Sequence, residues 1–521
     1  MKKIAQTIKK LENRFQKIEK IYKILNVIIE FILSIILAFS IYQIIIDKIL
    51  LNSISFKYLI ISILTGIIIL SIIIWNSIYY RKKIEKIFLS IIIPIGMFYL
   101  VLMLPYHVPD EAPHFIRAYE TYQGEFISSI NEEGKHRANI PIHLKELNLS
   151  NLKDYRTLQE QLQKKTDYSK KEEAYTEAQS YPGILYIFSG IGMQIGEMLN
   201  LNIIVTMYLA RILNFIFFLF LAYYAVKKIP FGKIMISSYF LLPMVLQQAA
   251  SVSPDSMING IAIFFIAYVI YLTLKAEQIT KKEIIMIIGI SAFLAVAKIV
   301  YMPIVFLLLL IISNPKISKK QKLIVIIGSV LIAIILGSTW YVYQTRYHDE
   351  RDYVKERDIN STEQIKNIIS NPLGYTKTLN ETFKKMGLTY ILDFAGASLG
   401  WQNIDINKFI IITALFLLII SGWFEKNEIC LSAKQKIWNI LIAIGSIVLV
   451  FTALYIAWTE VGAGIVVGVQ GRYFIPIIIL LTLCLCMKNN YIKVKYIPWF
   501  YFIAFSIINL IAIKTIVQFF I

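Results

Sequence analysis

Hydrophobic residues in this chain form long uninterrupted runs, and most charged residues stand between them. About 20 consecutive apolar residues make a helix long enough to cross a bilayer. The run 284–313 exceeds one such helix, and Lys298 and Pro303 interrupt it, which predicts a tight hairpin of two spans. Eleven other runs have the length of one span: 24–46, 57–79, 87–105, 203–226, 234–250, 256–275, 323–343, 407–424, 436–458, 473–487 and 497–520. The pattern predicts an all-α polytopic membrane protein with about thirteen transmembrane helices.

Two long polar segments, 106–180 and 345–406, are the largest interruptions of this pattern. Loops longer than about 15 residues are usually functional or disordered. Directly after the first of them, residues 181–199 form an apolar segment that is also long enough to span. Its Tyr181-Pro182-Gly183 opening marks a return to the membrane, but hydrophobicity alone leaves open whether it crosses.

The distribution of basic residues decides this point, because cytoplasmic loops of membrane proteins are enriched in Lys and Arg. If 181–199 does not cross, seven short polar segments lie on the same side of the membrane as the N-terminus, and they hold 28 Lys and Arg in 74 residues. The two large segments then hold 18 in 137 residues. We therefore expect 181–199 to be an outer juxtamembrane helix, steeply inclined to the span 203–226. The N-terminus is expected in the cytoplasm and the C-terminus outside, in a bacterial cell membrane.

Composition supports a membrane protein and excludes several other classes. The 521 residues are 57% apolar and 17% charged, which excludes a cytosolic enzyme, a disordered chain and a fibrous repeat. The net charge of +19 is explained by the cytoplasmic bias, so it does not predict a nucleic-acid partner. We expect a basic cytoplasmic N-terminus (1–23), an added transmembrane hairpin (24–86) and a transmembrane core (87–521) that includes the outer loops 106–180 and 345–406.

The first large loop opens with a group of polar residues, from Pro109-Asp110-Glu111 through Pro113-His114 to Arg117. A helix over 110–119 places Asp110, His114 and Arg117 on one face, with Glu111 in the first turn. A carboxylate at this boundary could act as a general base or a metal ligand. The alternative is an ordinary helix start, in which Asp110 caps and the other charges are surface residues.

The sequence resembles a bacterial membrane family called domain of unknown function 2142. The resemblance rests on four segments: Pro109-Asp110-Glu111 with His114-Phe115, Ser253-Pro254-Asp255-Ser256, Leu399-Gly400-Trp401, and Val469-Gln470-Gly471-Arg472-Tyr473-Phe474-Ile475-Pro476. The architecture is similar to the GT-C glycosyltransferases, which transfer a sugar from a polyprenyl-phosphate carrier. Those enzymes place a catalytic Asp at the start of the first outer loop, and Asp110 is the matching residue.

This resemblance implies an inverting GT-C glycosyltransferase in cell-envelope polysaccharide biosynthesis, with its active site on the outer face. Asp110 would deprotonate the acceptor, and Glu111 and His114 would orient it or hold a divalent cation, Mg²⁺ or Mn²⁺, whose presence stays open. Arg472 and Lys298 would offset the charge on the leaving phosphate. The remaining expected substrate-binding residues are Arg211, Asp255, Gln470, Tyr473 and Arg117.

Each of these charged residues also has a structural interpretation. Asp255 could be an N-cap, Lys298 could extend to the membrane interface, and Arg211 could pair with a neighbouring helix. The functional alternative to a transferase is a flippase or transporter for lipid-linked glycans, since many spans and buried charges suit transport too. A second alternative is a polysaccharide polymerase or ligase. The expected partners are a polyprenyl-phosphate-linked sugar, membrane lipid, and a glycan, lipid or protein acceptor.

The mechanism requires the base and the phosphate-binding cations to flank one substrate. Asp110, Lys298 and Arg472 are separated by more than 150 residues at each step. We nevertheless expect their functional atoms within about 10–15 Å of each other, around one cavity with an apolar groove and a charged head.

Overall fold

The computed structural model describes residues 2–80, 83–128, 137–175, 177–345, 359–488 and 497–521. The side chains of 2–20, 22, 23, 344 and 345 are not among those described. Parts of the loops 106–180 and 345–406, and most of the predicted cytoplasmic segment 488–495, lie outside the described residues.

The first half of the chain is a series of helices with one large loop. They are α1 (Lys2–Leu51), α2 (Phe56–Tyr79), α3 (Ile84–Leu102), α4 (Glu111–Tyr122), α5 (Ile142–Glu146), α6 (Tyr155–Gln163), α7 (Ile187–Met198), α8 (Ile203–Lys228), α9 (Lys233–Phe240), α10 (Pro243–Ala249) and α11 (Pro254–Leu274). Short 3₁₀ helices lie at Leu149–Leu152, Glu177–Ser180 and Gly183–Tyr186.

The second half continues in the same way. It contains α12 (Lys281–Ala297), α13 (Lys319–Thr345), α14 (Ser361–Ser370), α15 (Pro372–Ala395), α16 (Lys408–Phe424), α17 (Ala433–Ala457), α18 (Ile475–Cys484) and α19 (Ile497–Phe520). Two 3₁₀ helices lie at Ile299–Ser313 and Gly471–Phe474. Two small antiparallel strand pairs complete the described part, β1 (Ala138–Pro141) with β2 (Lys171–Ala174) and β3 (Ser398–Leu399) with β4 (Ile404–Asp405).

The chain is a mostly helical, multi-pass membrane protein. In the described residues, eight helices are long and apolar enough to cross a membrane: α1 from Ile24, α2, α3, α8, α11, α13 to Tyr343, α17 and α19. Buried residues make up 78% of the apolar window of α3 and 89% of that of α11, but only 11% of that of α2. Helices α3, α8 and α11 therefore form the centre, and the α1–α2 hairpin lies at its periphery.

The predicted span 234–250 is not one helix. It is broken between α9 and α10, where Pro243 lacks the backbone N–H that would continue the helix. A break inside an apolar bundle leaves a carbonyl that must find a donor. The amide of Asn509 on α19 donates to the carbonyl oxygen of Leu241 at 2.8 Å, and Tyr99 on α3 donates to the same side chain at 2.9 Å.

The predicted hairpin over 284–313 has two unlike arms. The first is α12, and the second, Ile299–Ser313, is a 3₁₀ helix of 15 residues. A 3₁₀ helix rises about 2.0 Å per residue, so this arm extends about 30 Å, the thickness of a bilayer core. An α-helix of the same length would reach only about 22 Å. Lys298 joins the two arms in an extended conformation.

The expected steep angle between 181–199 and the span 203–226 is wrong. Helix α7 runs antiparallel along the first half of α8, as three contacts show. Phe188 stacks on Phe217 with ring centroids 4.1 Å apart, Gly192 lies against Ala210, and Gly196 lies against Thr206. Together with the 3₁₀ helix Gly183–Tyr186 that leads directly into it, α7 extends about 26 Å.

Contact between α7 and α8 depends on Gly192. A Cβ atom at this position would lie 2.5 Å from the Cα of Ala210, so Gly192→Ala must push the two backbones apart. We expect a loss of about 1–3 kcal/mol of stability, seen as a lower thermal midpoint in detergent. The matched control is Gly289→Ala on α12, where nothing lies within 4 Å. Equal midpoints for the two variants would contradict the close packing.

Candidate functional site

A buried ion pair fixes the start of the first large loop. All five N–H groups of Arg211 on α8 find acceptors: both oxygens of Glu111 (2.8 and 2.5 Å) and the carbonyls of Leu100, Met103 and Leu104. The Glu111 carboxylate also accepts from the backbone N–H groups of Tyr106 (3.0 Å) and Val252 (3.1 Å). Both side chains are fully buried. The pair therefore joins the end of α3, the start of α4, α8 and the turn before α11.

Next to this pair, four charged side chains of alternating sign form a chain. Arg472 contacts the Asp110 carboxylate at 2.5 Å and the Asp255 carboxylate at 3.6 Å. Lys298 contacts the other oxygen of Asp255 at 2.6 Å. We call this set the ion-pair chain: Asp110, Arg472, Asp255 and Lys298. The structure thus brings together the three residues that the mechanism requires to converge, and adds Asp255 between them.

Local backbone features aim these side chains inward. Asp110 precedes α4 in a left-handed conformation (φ 63°), so its side chain does not cap the helix. Asp255 is not the cap of α11 either, because Ser253 accepts a hydrogen bond from the Asp255 N–H. Lys298 ends α12 at the hairpin turn. Gly471 lets the segment that carries Arg472 lie directly against the end of α15, because a Cβ at this position would lie 2.3 Å from the backbone nitrogen of Phe394.

Arg472 is held by several further contacts. Its Nε donates to the side-chain oxygen of Gln470 at 2.7 Å, and its Nη1 donates to the carbonyl of Pro109 at 3.3 Å. The Arg472 side chain is 4% exposed, whereas that of Asp110 is 46% exposed. The ion-pair chain is therefore open at Asp110 and closed around Arg472 and Asp255.

Aromatic rings cover the two cations. The Tyr473 ring lies 5.2 Å from the Arg472 guanidinium and 5.3 Å from the Lys298 ammonium, within the range of cation–π attraction. The Tyr181 ring lies 6.0 Å from the same ammonium. Tyr301 donates its hydroxyl hydrogen to the carbonyl of Tyr473 at 2.9 Å, which fixes that segment.

His114 lies beside the ion-pair chain as a neutral ring. Burial lowers its pKa to about 4, although the charges of Asp110 and Asp255 oppose the shift. Its Nδ1 shares a hydrogen bond of 2.8 Å with the Tyr186 hydroxyl. Burial acts to raise the pKa of Asp110, but the Arg472 charge outweighs it and the pKa is lowered. At neutral pH Asp110 is thus an ionised carboxylate next to an uncharged imidazole.

The second large loop reaches the same place. The indole N–H of Trp401 donates to the carbonyl of Tyr106 at 2.8 Å, and Trp401 is 40% exposed. The neighbouring Gly400 N–H donates to the Gln247 side chain of α10 at 2.7 Å. The four sequence segments that carry the family resemblance therefore converge on one site.

Three expected site residues have structural roles instead. Glu111, expected beside the base, and Arg211, expected to bind substrate, saturate each other and the surrounding backbone. Arg117, also expected to bind substrate, is fully buried, and its donors go to the Glu120 carboxylate, the Thr121 hydroxyl and three carbonyls, those of Tyr181, Glu125 and Phe126. All five N–H groups of Arg211 thus have acceptors, and Arg117 makes five hydrogen bonds within its own loop and the segment that follows it.

Three further tyrosines belong to the site although no sequence pattern predicted them there: Tyr181, Tyr186 and Tyr301. The first two belong to the segment whose Tyr181-Pro182-Gly183 opening marks the return to the membrane. A Cβ on Gly183 would lie 2.7 Å from the Cα of Phe126, so this glycine lets the segment reach the end of α4. The Tyr181-Pro182-Gly183 opening is the sequence feature that could have pointed to Tyr181 and Tyr186. No such feature marks Tyr301, because it lies in a uniform apolar run.

The residues around Asp110 do not fit a divalent cation. In the part of the chain that the structure describes, no three His, Cys, Asp or Glu side chains are grouped to hold a metal ion. The Asp110 carboxylate is paired with a guanidinium, and His114 Nδ1 is paired with a tyrosine hydroxyl. A second positive charge there would be repelled by Arg472.

The chain matches a known family over most of its length. Residues 93–481 match the family described as "Predicted membrane protein (DUF2142)", and the chain belongs to this family. The matched region contains the whole ion-pair chain, whereas the α1–α2 hairpin precedes it. Comparisons with curated proteins and with solved structures find no match.

Glu111 and Asp110 are adjacent acids, and we expect substitution of each to affect stability differently. Glu111→Gln leaves the Arg211 charge buried without its partner, which should cost about 3–5 kcal/mol. We expect a much lower thermal midpoint and poor yield of folded protein. Asp110→Asn is the matched control and should stay near the wild-type midpoint, because Asn tolerates the left-handed conformation. A Glu111→Gln protein of unchanged stability would contradict the structural role.

Proposed function

We propose that this protein is a GT-C-like glycosyltransferase that transfers a sugar from a polyprenyl-phosphate carrier to a glycan, lipid or protein acceptor. The observation that supports this proposal is the ion-pair chain. It combines a partly exposed carboxylate with two cations suited to a phosphate, at one place in a membrane bundle. The proposed donor is lipid-linked because nucleotide sugars are not available on the outer face of the membrane.

The proposed topology has thirteen spans, with the N-terminus in the cytoplasm and the site on the outer face of a bacterial cell membrane. The eight long helices supply eight spans. The other five are α12, the 3₁₀ helix Ile299–Ser313, α16, the unit Gly471–Cys484 and the broken pair α9–α10. The asymmetry of Lys and Arg between short and long polar segments supports this orientation.

Donor binding would rearrange the ion-pair chain. A phosphate offers oxygens to Arg472 and Lys298, and it competes with the carboxylates that hold these cations in the resting protein. Arg472 suits this exchange because its guanidinium can bind two oxygens at once. As Arg472 turns to the phosphate, the Asp110 carboxylate loses its strongest partner. Its pKa then rises, and the carboxylate becomes a better base.

In the transfer step, Asp110 takes the proton of an acceptor hydroxyl and the acceptor oxygen attacks the anomeric carbon. The bond between that carbon and the phosphate oxygen breaks, and the phosphate leaves with the electron pair. Arg472 and Lys298 offset the negative charge that develops on it. Attack opposite to the leaving group inverts the anomeric centre. Tyr473, Tyr181 and the exposed Trp401 provide apolar faces on which a sugar ring can stack.

A polymerase or ligase that uses a lipid-linked glycan would employ the same site, and the acceptor distinguishes it from a simple transferase. The flippase alternative requires charges along a path through the bundle. All four charges of the ion-pair chain are instead paired in place, at helix ends and turns. This arrangement favours a reaction at one site over transport of a substrate through the bundle.

The topology has a direct test. Cysteines introduced by Ser150→Cys and Asn360→Cys, both at exposed positions, should react with a membrane-impermeant thiol reagent in intact cells. Lys320→Cys, at an exposed position in a predicted cytoplasmic segment, should react only after permeabilisation. The wild type gives the background from the native cysteines. Labelling of only one of the two loop positions would show that the thirteen-span arrangement is wrong.

Activity can be measured in membranes supplied with extracted lipid-linked glycans. Asp110→Asn should lower the rate by about 10²–10⁴, the usual contribution of a general base, without loss of folded protein. Arg472→Lys should mainly raise the KM for the donor, by roughly tenfold, because a bidentate contact is lost. Asp167→Asn, at an exposed site in the same loop, is the matched control. An Asp110→Asn protein with full activity would refute the proposed base.

A further inference from the structure

Helix α1 extends far beyond the membrane. It runs without a break from Lys2 to Leu51, and its candidate span begins at Ile24. At 1.5 Å per residue, the 22 preceding residues extend about 33 Å past the span. Most helical stability in proteins comes from the packing of an apolar face, so a partner that packs along this extension is expected.

The apolar residues of this extension repeat every seven positions. They alternate in steps of four and three residues: Ile4, Ile8, Leu11, Phe15, Ile18, Tyr22 and Leu25. This is the a/d spacing of a coiled coil, sustained over three heptads. Most of the other positions are Lys, Glu, Gln, Asn or Arg. We call these seven positions the heptad seam.

Where its side chains are described, the line of the seam is largely exposed. Five of the six buried residues of α1 recur every four positions, namely Glu30, Ser34, Ala38, Tyr42 and Ile46, and the sixth, Ser40, contacts Ser62 of α2. Leu25 of the seam is 51% exposed, and the next seam positions, Ile29, Ile32 and Ile36, are 40–50% exposed. At 100° per residue these two sets lie on nearly opposite sides of the helix. In the described residues, the protomer therefore buries mainly one face of α1, and the seam line from Leu25 to Ile36 stays exposed.

The geometry also argues against a helix that lies flat on the membrane. Such helices carry a broad apolar face and lie in the interface plane. Here the apolar positions of the extension form a narrow two-in-seven seam of the kind that packs against another helix.

We propose that residues 4–25 of two copies of this chain form a parallel two-stranded coiled coil. Both copies cross the membrane in the same direction and start their spans at the same residue. The membrane thus fixes a parallel, in-register arrangement before any contact forms. Identical seam positions then face each other across a two-fold axis.

The charges beside the seam suit this arrangement. In a parallel pair, a g position lies beside the e position of the next heptad on the other helix. Arg14 occupies g and Glu19 occupies that e position, so an opposite-charge pair forms twice. The other two combinations, Thr7 with Glu12 and Ile21 with Asn26, contain no like charges. A second copy of this chain is therefore an electrostatically compatible partner.

Disulfide formation in native membranes tests the register. Leu11→Cys and Ile18→Cys place the new thiols at seam positions and should give a covalent dimer of two differently tagged copies on oxidation. Asn13→Cys, on the far side of the helix, is the matched control and should give at least fivefold less dimer. The wild type gives the background from its three cysteines. Equal dimer from Asn13→Cys, or none from the seam variants, would overturn the proposal, as would capture of a different protein alone.

Charge exchange tests the pairing independently. In the Leu11→Cys chain, Arg14→Glu or Glu19→Arg alone places like charges across the seam and should reduce dimer yield roughly threefold to tenfold. Both substitutions together restore opposite charges and should restore the yield. A double variant as weak as the single variants would overturn the parallel register. Neither readout depends on catalytic activity.

Discussion

The bond between Glu111 and Arg211 is the constraint on which the rest of the site depends. Both side chains are fully buried, and every N–H group of the arginine has an acceptor, either the Glu111 carboxylate or a backbone carbonyl. The carboxylate accepts four hydrogen bonds in all, two from Arg211 and two from backbone N–H groups. Breaking one partner would leave the other charged without compensation, so the pair cannot open at low cost. Because α4 begins at Glu111, this pair also fixes the residue before it. Asp110 thereby projects toward Arg472, which comes from the other end of the chain.

Alternation of sign explains how four charges can occupy one apolar region. Two carboxylates and two cations give no net charge, and each buried member has an opposite neighbour within 4 Å. The same alternation makes the chain responsive to an anion. A phosphate that binds the cations offsets the lost carboxylate contacts, whereas an additional cation has no free carboxylate to bind. The arrangement is therefore neutral in the resting protein and suits the anionic donor that we propose.

Sequence patterns predicted the features that are visible within one stretch of the chain, without knowledge of which segments meet in the fold. Apolar runs located the long helices, and charges at helix ends located Asp110, Lys298 and Arg472. The structural contacts of Glu111, Arg117 and Arg211 could not be predicted, because a buried arginine looks the same in sequence whether it binds a substrate or a carbonyl. Only the fold shows that Arg211 meets the end of α3. The break near Leu241 was missed for a similar reason, since its compensation by Asn509 lies 268 residues away.

The 3₁₀ helix connects the membrane thickness with the chemistry of the site. Only 15 residues separate Lys298 from Asn314, whose amide donates to the carbonyls of Leu272 and Ala276 at the far end of α11. Asn314 is fixed at one end of α11 and Asp255 lies at the other. An α-helix over the 15 residues would be about 7 Å too short to cover the distance between these two points. The extended 3₁₀ rise lets Lys298 reach Asp255 at 2.6 Å while the other end stays anchored. The unusual backbone therefore follows from two fixed contacts, one at each end of a neighbouring helix.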